Sequence, residues 1–191
     1  MKLLFASHNQ GKLREAKEIL ADTGYEVVSL DDLKIASDVA ETGSTMAANA
    51  QLKAEYFAQA SQLLTIGDDS GLEIAALDNW PGVNSHRIVD GSDEERVRVV
   101  LAKMKSVTDR RAQFVTVLCL VNPQTKVVKF FTGTVTGTIA QQPQGRAGFG
   151  YDPIFVPTGY QQSFAQLGLK VKNQISHRQQ ALEKLKKYLV S

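Results

Sequence analysis

Residues 3–6 form a short apolar run that halts at Ser7-His8-Asn9-Gln10-Gly11-Lys12, after which Leu13, Ala16, Ile19 and Leu20 recur at helical spacing. The pattern predicts a strand, a turn and a helix, with Gly24 as the stop. Residues 26–30 read as a second strand, followed by a polar loop over residues 31–43. Met46, Ala50, Ala54, Phe57 and Ala58 trace one face of a second helix. Residues 63–67 read as a strand ending in Asp68-Asp69-Ser70-Gly71, with residues 72–76 extending or re-entering the sheet. Asn79-Trp80-Pro81-Gly82 reads as a turn.

Ser92 and Glu95 have the spacing of a capping box, opening a helix with Val97, Val100, Leu101 and Met104 on one face. Two strand patterns, residues 112–121 and 127–139, flank Asn122-Pro123-Gln124-Thr125 and predict an antiparallel hairpin. Residues 141–172, rich in glycine, proline and aromatics, show little periodicity and read as a long functional loop. A last helix follows Ser176, with Ala181, Leu182, Leu185 and Leu189 inward and Lys184, Lys186 and Lys187 near the negative end of its dipole. The fold class is α/β with a mixed sheet flanked by helices.

Composition narrows the class without changing that picture. The chain has 191 residues, 43% hydrophobic and 22% charged, close to the globular average, which excludes disordered and fibrous classes. Its length predicts a single domain, residues 1–191, with room for two lobes. A net charge of +2 argues against a long polyanion such as nucleic acid. The lone Cys119 excludes an intrachain disulfide, and its apolar surroundings predict a buried, inert thiol. No apolar stretch reaches the roughly 20 residues that span a bilayer. Polar residues 8–12 come too early for a signal peptide, so a cytoplasmic protein without membrane contact is expected.

Five short motifs could carry chemistry. Residues 7–12 lie between strand and helix, where free backbone N–H groups and a lysine suit phosphate, although Walker A spacing is absent. Glu41, Asp68 and Asp69 form an acidic set. Adjacent strand carboxylates point to opposite faces, so one of the two would join another loop's carboxylate in holding Mg²⁺; turn chemistry is the competing reading. Asn49 and Lys53 lie one helical turn apart. Gly148-Phe149-Gly150-Tyr151-Asp152-Pro153 combines close backbone approach, a stacking ring and a carboxylate. Ser176-His177-Arg178 puts two cationic donors at a helix start, where the dipole favours anions. His8 and His86 have no spacing that makes them a metal pair.

In their order along nearly the whole chain, these motifs resemble the inosine/xanthosine triphosphate pyrophosphatase family, the Ham1-like proteins. Phe149-Gly-Tyr-Asp152 and Ser176-His-Arg178 are the most diagnostic pieces. The resemblance implies Mg²⁺-dependent hydrolysis of ITP, dITP and XTP to monophosphate and pyrophosphate. It also implies an elongated mixed sheet, two lobes around a central nucleotide-binding cleft, and a homodimer. Carried onto matching positions, it implies that Ser7, His8, Asn9, Gln10, Gly11, Lys12 and Lys53 hold the phosphates, with Asp69 as general base. Glu41 and Asp69 would serve the metal, and Ser70 lies beside them. Phe149, Gly150, Tyr151, Asp152, Lys172, His177 and Arg178 would bind the nucleoside. The chain departs from the family pattern at His8, Trp80 and His86, and Ala48 stands where a glutamate is common, which leaves Glu41 as the second acidic position. A Maf-like pyrophosphatase lacks its Ser-x-Ser-Pro-Arg-Arg start here, and a silent nucleotide sensor would not need Asp69 and Glu41.

Overall fold

The computed structural model describes residues 1–191. Strand β1 (Lys2–Ala6) leads into α1 (Gln10–Ile19) and β2 (Glu26–Ser29), and α2 (Met46–Ser61) into β3 (Leu64–Ile74). The short β4 (Trp80–Pro81) precedes α3 (Asp93–Lys103), and β5 (Arg111–Val121) and β6 (Val128–Ile139) follow. The chain closes with β7 (Phe155–Pro157), α4 (Phe164–Ile175) and α5 (His177–Leu189). The sheet order is β2-β1-β3-β5-β6-β7, with β4 on β3. β1 runs parallel to β2 and β3, whereas the β3–β4 and β6–β7 pairs are antiparallel, so the sheet is mixed as expected. No helix is long and apolar enough to cross a membrane.

Two compact units divide the chain. The first contains residues 1–69, 116–133 and 178–191, the second residues 70–115 and 134–177. In the first, Leu3, Phe5 and Ile66 pack with Leu13 and Ala16 of α1 and Leu182 and Leu185 of α5. The apolar stripes of both helices, periodic in the sequence, are the faces that are buried. Ala50, Ala54 and Ala58 of α2 pack with Cys119 and Val121. Burial pushes the Cys119 thiol up to about 12, so it stays protonated and inert. The core of the second unit holds Leu72, Val97, Val100 and a ring cluster in which Phe114 and Phe155 lie 4.5 Å apart and Phe155 and Phe164 5.4 Å.

Four elements differ from the sequence expectation: β4 falls in the stretch read as a turn, β7 in the stretch read as loop, and β3 and α4 differ as follows. β3 runs unbroken through Asp68-Asp69-Ser70-Gly71, so these residues are strand and not turn. Their polarity hides the strand pattern, yet Asp68 is 1% exposed and Asp69 5%. α4 lies inside the stretch read as loop. Ser163 and Gln166 form a complete capping box at its start, but Gly168 (φ 78°) interrupts the helical backbone and erases a continuous period. The capping box of α3 is present as read, with the Glu95 N–H donating to Ser92 Oγ and the Ser92 N–H to Glu95 Oε2.

The small stripe of α2 lets its backbone approach β3 closely. A Cβ on Gly67 would lie 2.0 Å from the Ala50 carbonyl oxygen and 2.8 Å from the Ala54 nitrogen, both unyielding backbone atoms. Gly67→Ala is therefore expected to cost about 3 kcal/mol, the upper part of the usual overpacking range. Urea unfolding checks this; a loss below about 1 kcal/mol would mean that α2 shifts without strain.

Candidate active site

The parallel register pairs Ala6 of β1 with Gly67 of β3, so the two strands reach residues 7–12 and Asp68-Asp69 side by side. At the ends of parallel strands, backbone groups and loops are available to bind ligands. Asn9 caps α1, its Oδ1 accepting the Lys12 N–H at 3.0 Å, and Ser7 Oγ accepts the Asn9 N–H at 3.1 Å. His8 Nδ1 lies 3.1 Å from Asp31 Oδ1, and Gln10 Nε2 donates to Asp31 Oδ2 at 3.1 Å. Asn9 and Ser7 thus shape the turn, and Asp31 holds His8 and Gln10. The first turn of α1 has no acidic residue, which leaves its positive end uncancelled.

Four charges knit the buried part of the first unit. Lys12 Nζ pairs with Asp68 Oδ1. Arg178 donates through Nε to Asp68 Oδ2 at 3.3 Å and through Nη1 to Glu15 Oε2 at 2.7 Å. Arg178 is 1% exposed and Glu15 2%. Burial opposes ionisation of Asp68, but Lys12, Arg178 and Lys53 together hold its carboxyl far below the ordinary range. Burial likewise lowers the Lys12 pKa, and Arg178 and Lys53 add to that against Asp68. The Arg178 guanidinium is lost more reluctantly than usual, since Asp68 and Glu15 outweigh its burial.

Asp69 faces a different environment. Burial raises its pKa and the charge of Glu41 adds to that, while Lys53 and the Asn49 amide oppose it. Asn49 Nδ2 donates to Asp69 Oδ2 at 3.1 Å, and its Oδ1 accepts the Gly43 N–H at 2.8 Å. One buried amide therefore couples the loop that carries Glu41 to the strand that carries Asp69. Lys53 Nζ pairs with Glu41 Oε1. No group of three or more His, Cys, Asp or Glu side chains could enclose a metal ion. A hard divalent cation that keeps waters and phosphate oxygens asks only for one or two carboxylates, and Glu41 and Asp69, whose ionisation the Glu41 charge opposes, meet that demand.

In the second unit, Asp152 organises residues 148–152. Its Oδ2 accepts the Phe149 N–H at 3.0 Å and a 2.7 Å bond from Lys172 Nζ, which also sits 4.0 Å from the centre of the Phe149 ring. A Cβ on Gly148 (φ 86°) would meet that carboxylate at 2.1 Å. Tyr151, 5% exposed, donates its hydroxyl to the Ser85 carbonyl at 2.5 Å, and Gly150 donates its N–H to Asp93 Oδ2 at 2.6 Å. His177 stacks on Phe114, rings 4.8 Å apart and 13° from parallel. Lys172 and His177 are 1% and 4% exposed.

Lys12, Lys53, Glu41 and Asp69 come together in the first unit with Arg178. Phe149, Gly150, Tyr151, Asp152, Lys172 and His177 lie in the second, as does Ser70. Glu15 and Asp93 are neighbours that no motif pointed to, while Asp68 and Asn49 belong to the motifs but carry no expected site role. Glu15 did carry a signal: a carboxylate beside Ala16 and one turn before Ile19, on the apolar face, requires a buried cation. Removing Arg178 tests the network. Arg178→Met leaves Glu15 and Asp68 without their shared cation and should cost about 3–5 kcal/mol in urea unfolding. The depressed Asp68 pKa contributes stability that is present above its ordinary value of 3.8 and lost as pH falls through the folded value. In Arg178→Met that folded value moves up, so acid unfolding begins at higher pH than in the parent protein. An unchanged acid limb would show that Arg178 does not set the Asp68 pKa.

The Ham1 family model matches residues 3–188. A dITP/XTP pyrophosphatase of Staphylococcus aureus (strain MRSA252) is 44% identical over 190 residues, covering 98% of this chain and 96% of that protein. One of the same description from Porphyromonas gingivalis is 42% identical over 192 residues, covering 99% and 97%. The solved structure of the Staphylococcus aureus Ham1 protein superposes with a TM-score of 0.89 at 43% identity, covering 99% of this chain and 98% of that one. A match over nearly every residue, in sequence and in fold, places this chain in the Ham1 family.

Proposed function

We propose that the protein is a pyrophosphohydrolase that converts ITP, dITP and XTP to the monophosphate and pyrophosphate, removing non-standard purine nucleotides from the pool. The observation that carries the reading is the divergence of two adjacent carboxylates. Asp68 is held ionised by cations, and Asp69 is pushed toward protonation by burial and by Glu41. Neighbouring acids with pKa values driven apart divide structural and proton-transfer work between them. The names of the Staphylococcus and Porphyromonas relatives support the substrate class.

In this reading the backbone amides at the start of α1, Lys12 and Lys53 bind the triphosphate, supplying charge where the transition state accumulates it. Glu41 and Asp69 would hold Mg²⁺, which would supply Lewis-acid polarisation of a phosphoryl oxygen and orientation of the phosphates. Asp69 accepts a proton from the attacking water as the α–β anhydride breaks and pyrophosphate leaves. It is the carboxylate left for that work, since Asp68 is committed to Lys12 and Arg178. The Asn49 amide keeps the Asp69 carboxylate turned the right way. In the second unit, Phe149 offers a ring face to the base, and Lys172 and His177 supply donors for a 6-oxo acceptor. A 6-amino group would leave such a donor unpaired at a cost of about 1–3 kcal/mol. The protein acts in the cytoplasm as a homodimer, as the family resemblance implies.

Incubation with Mg²⁺ and ITP or ATP, followed by product analysis, tests the proposal. ITP should yield pyrophosphate and IMP at a kcat/KM at least about tenfold above that for ATP, consistent with one unpaired donor. Orthophosphate as the sole product would refute the bond assignment, and equal rates on the two nucleotides would refute the specificity.

A further inference from the structure

Asp93 is the first residue of α3, yet capping that helix does not use it. Ser92 and Glu95 already form the complete capping box. Both Asp93 oxygens are engaged elsewhere: Oδ2 accepts the Gly150 N–H at 2.6 Å and Oδ1 a bond from Arg96 Nη2 at 2.9 Å. Arg96 is itself pinned, donating from Nη1 to the Gly91 carbonyl at 2.7 Å and to the His86 carbonyl at 3.4 Å. Gly150 (φ 62°) lies in an irregular segment, where no strand ladder supplies a partner for its N–H. A carboxylate that is ionised and braced by a guanidinium is a strong acceptor for such a group.

Residues 148–152 are thus fixed from inside by Asp152 and from outside by two ties, Gly150 to Asp93 and Tyr151 to the Ser85 carbonyl. The Asp93 side chain remains 42% exposed, so its loss opens no hole in the core. We infer that Asp93, braced by Arg96, is a positioning residue for nucleoside recognition, setting where Phe149 and its neighbours present themselves to the base. The inference rests on the reading that residues 149–152 contact the nucleoside.

The test compares the parent protein with Asp93→Ala, Asp93→Asn and Phe149→Ala, measuring IMP binding by calorimetry, KM and kcat for ITP and ATP, and thermal unfolding. Asp93→Ala should weaken IMP binding and raise the ITP KM about tenfold, with a smaller change in kcat and a reduced preference for ITP over ATP, the pattern of a misplaced binding group. Asp93→Asn keeps an oxygen that can accept the Gly150 N–H, and should recover IMP affinity to within about threefold of the parent. Unchanged IMP affinity in Asp93→Ala alongside weakened binding in Phe149→Ala would overturn the role of Asp93 alone. Unchanged affinity in both variants would overturn the nucleoside reading of this loop and the inference with it. An Asp93→Asn variant no better than Asp93→Ala, or losses that merely track a fall in folded fraction, would also overturn the inference.

Discussion

Asp68 carries a charge in the interior of a strand with almost no access to water, and the first unit is arranged around satisfying it. Such a group is tolerated only with cations and hydrogen bonds at hand. Lys12 arrives from the first turn of α1 and Arg178 from the first turn of α5, with Glu15 balancing the second cation. A buried network of this kind adds modest net stability compared with apolar packing, but breaking it is costly. Two helix starts are thereby tied to one residue of β3. The net charge of +2 hides this completely, because the two cations and two carboxylates cancel.

Strand geometry turns that anchor into a site. Adjacent residues of β3 point to opposite faces, so once Asp68 is committed to Lys12 and Arg178, Asp69 is left to bond Asn49 of α2 and to feel Glu41 of the loop before it, while Lys53 acts on both carboxylates. The Ala50-Ala54-Ala58 stripe and Gly67 bring α2 near enough to β3 for an amide on that helix to reach the strand. Packing, more than any local motif, gives Asp69 its raised pKa.

The sequence made much of this legible, and the failures share a cause. Periodicity located β1, α1, α2, α3, α5 and the β5–β6 hairpin, because each buries one face and repeats at its own period. Asp69, Glu41, Lys12 and Lys53 stood out because carboxylates and lysines beside strand ends and turns are chemically suggestive before any fold is known. The continuity of β3 was hidden because its middle is polar but buried, an inversion that only tertiary partners can justify. α4 was hidden by Gly168, despite a capping box that was there to be read. The motif around Arg178 suggested a ligand donor and gave no sign of its ion pairs with Asp68 and Glu15. Pairings between residues far apart in the chain, such as Arg178 with Glu15 or Gly150 with Asp93, leave no local pattern at all.

The division of labour between the two aspartates is the central claim, and ITP turnover by Asp69→Asn, with the urea midpoint taken on the same preparation, tests it most directly. Loss of a general base predicts a fall in kcat of about 10²–10⁴. The midpoint should stay unchanged or rise, because burial disfavours the charge that the substitution removes. Retained turnover, or a loss of activity that merely follows a lowered midpoint, would contradict the account.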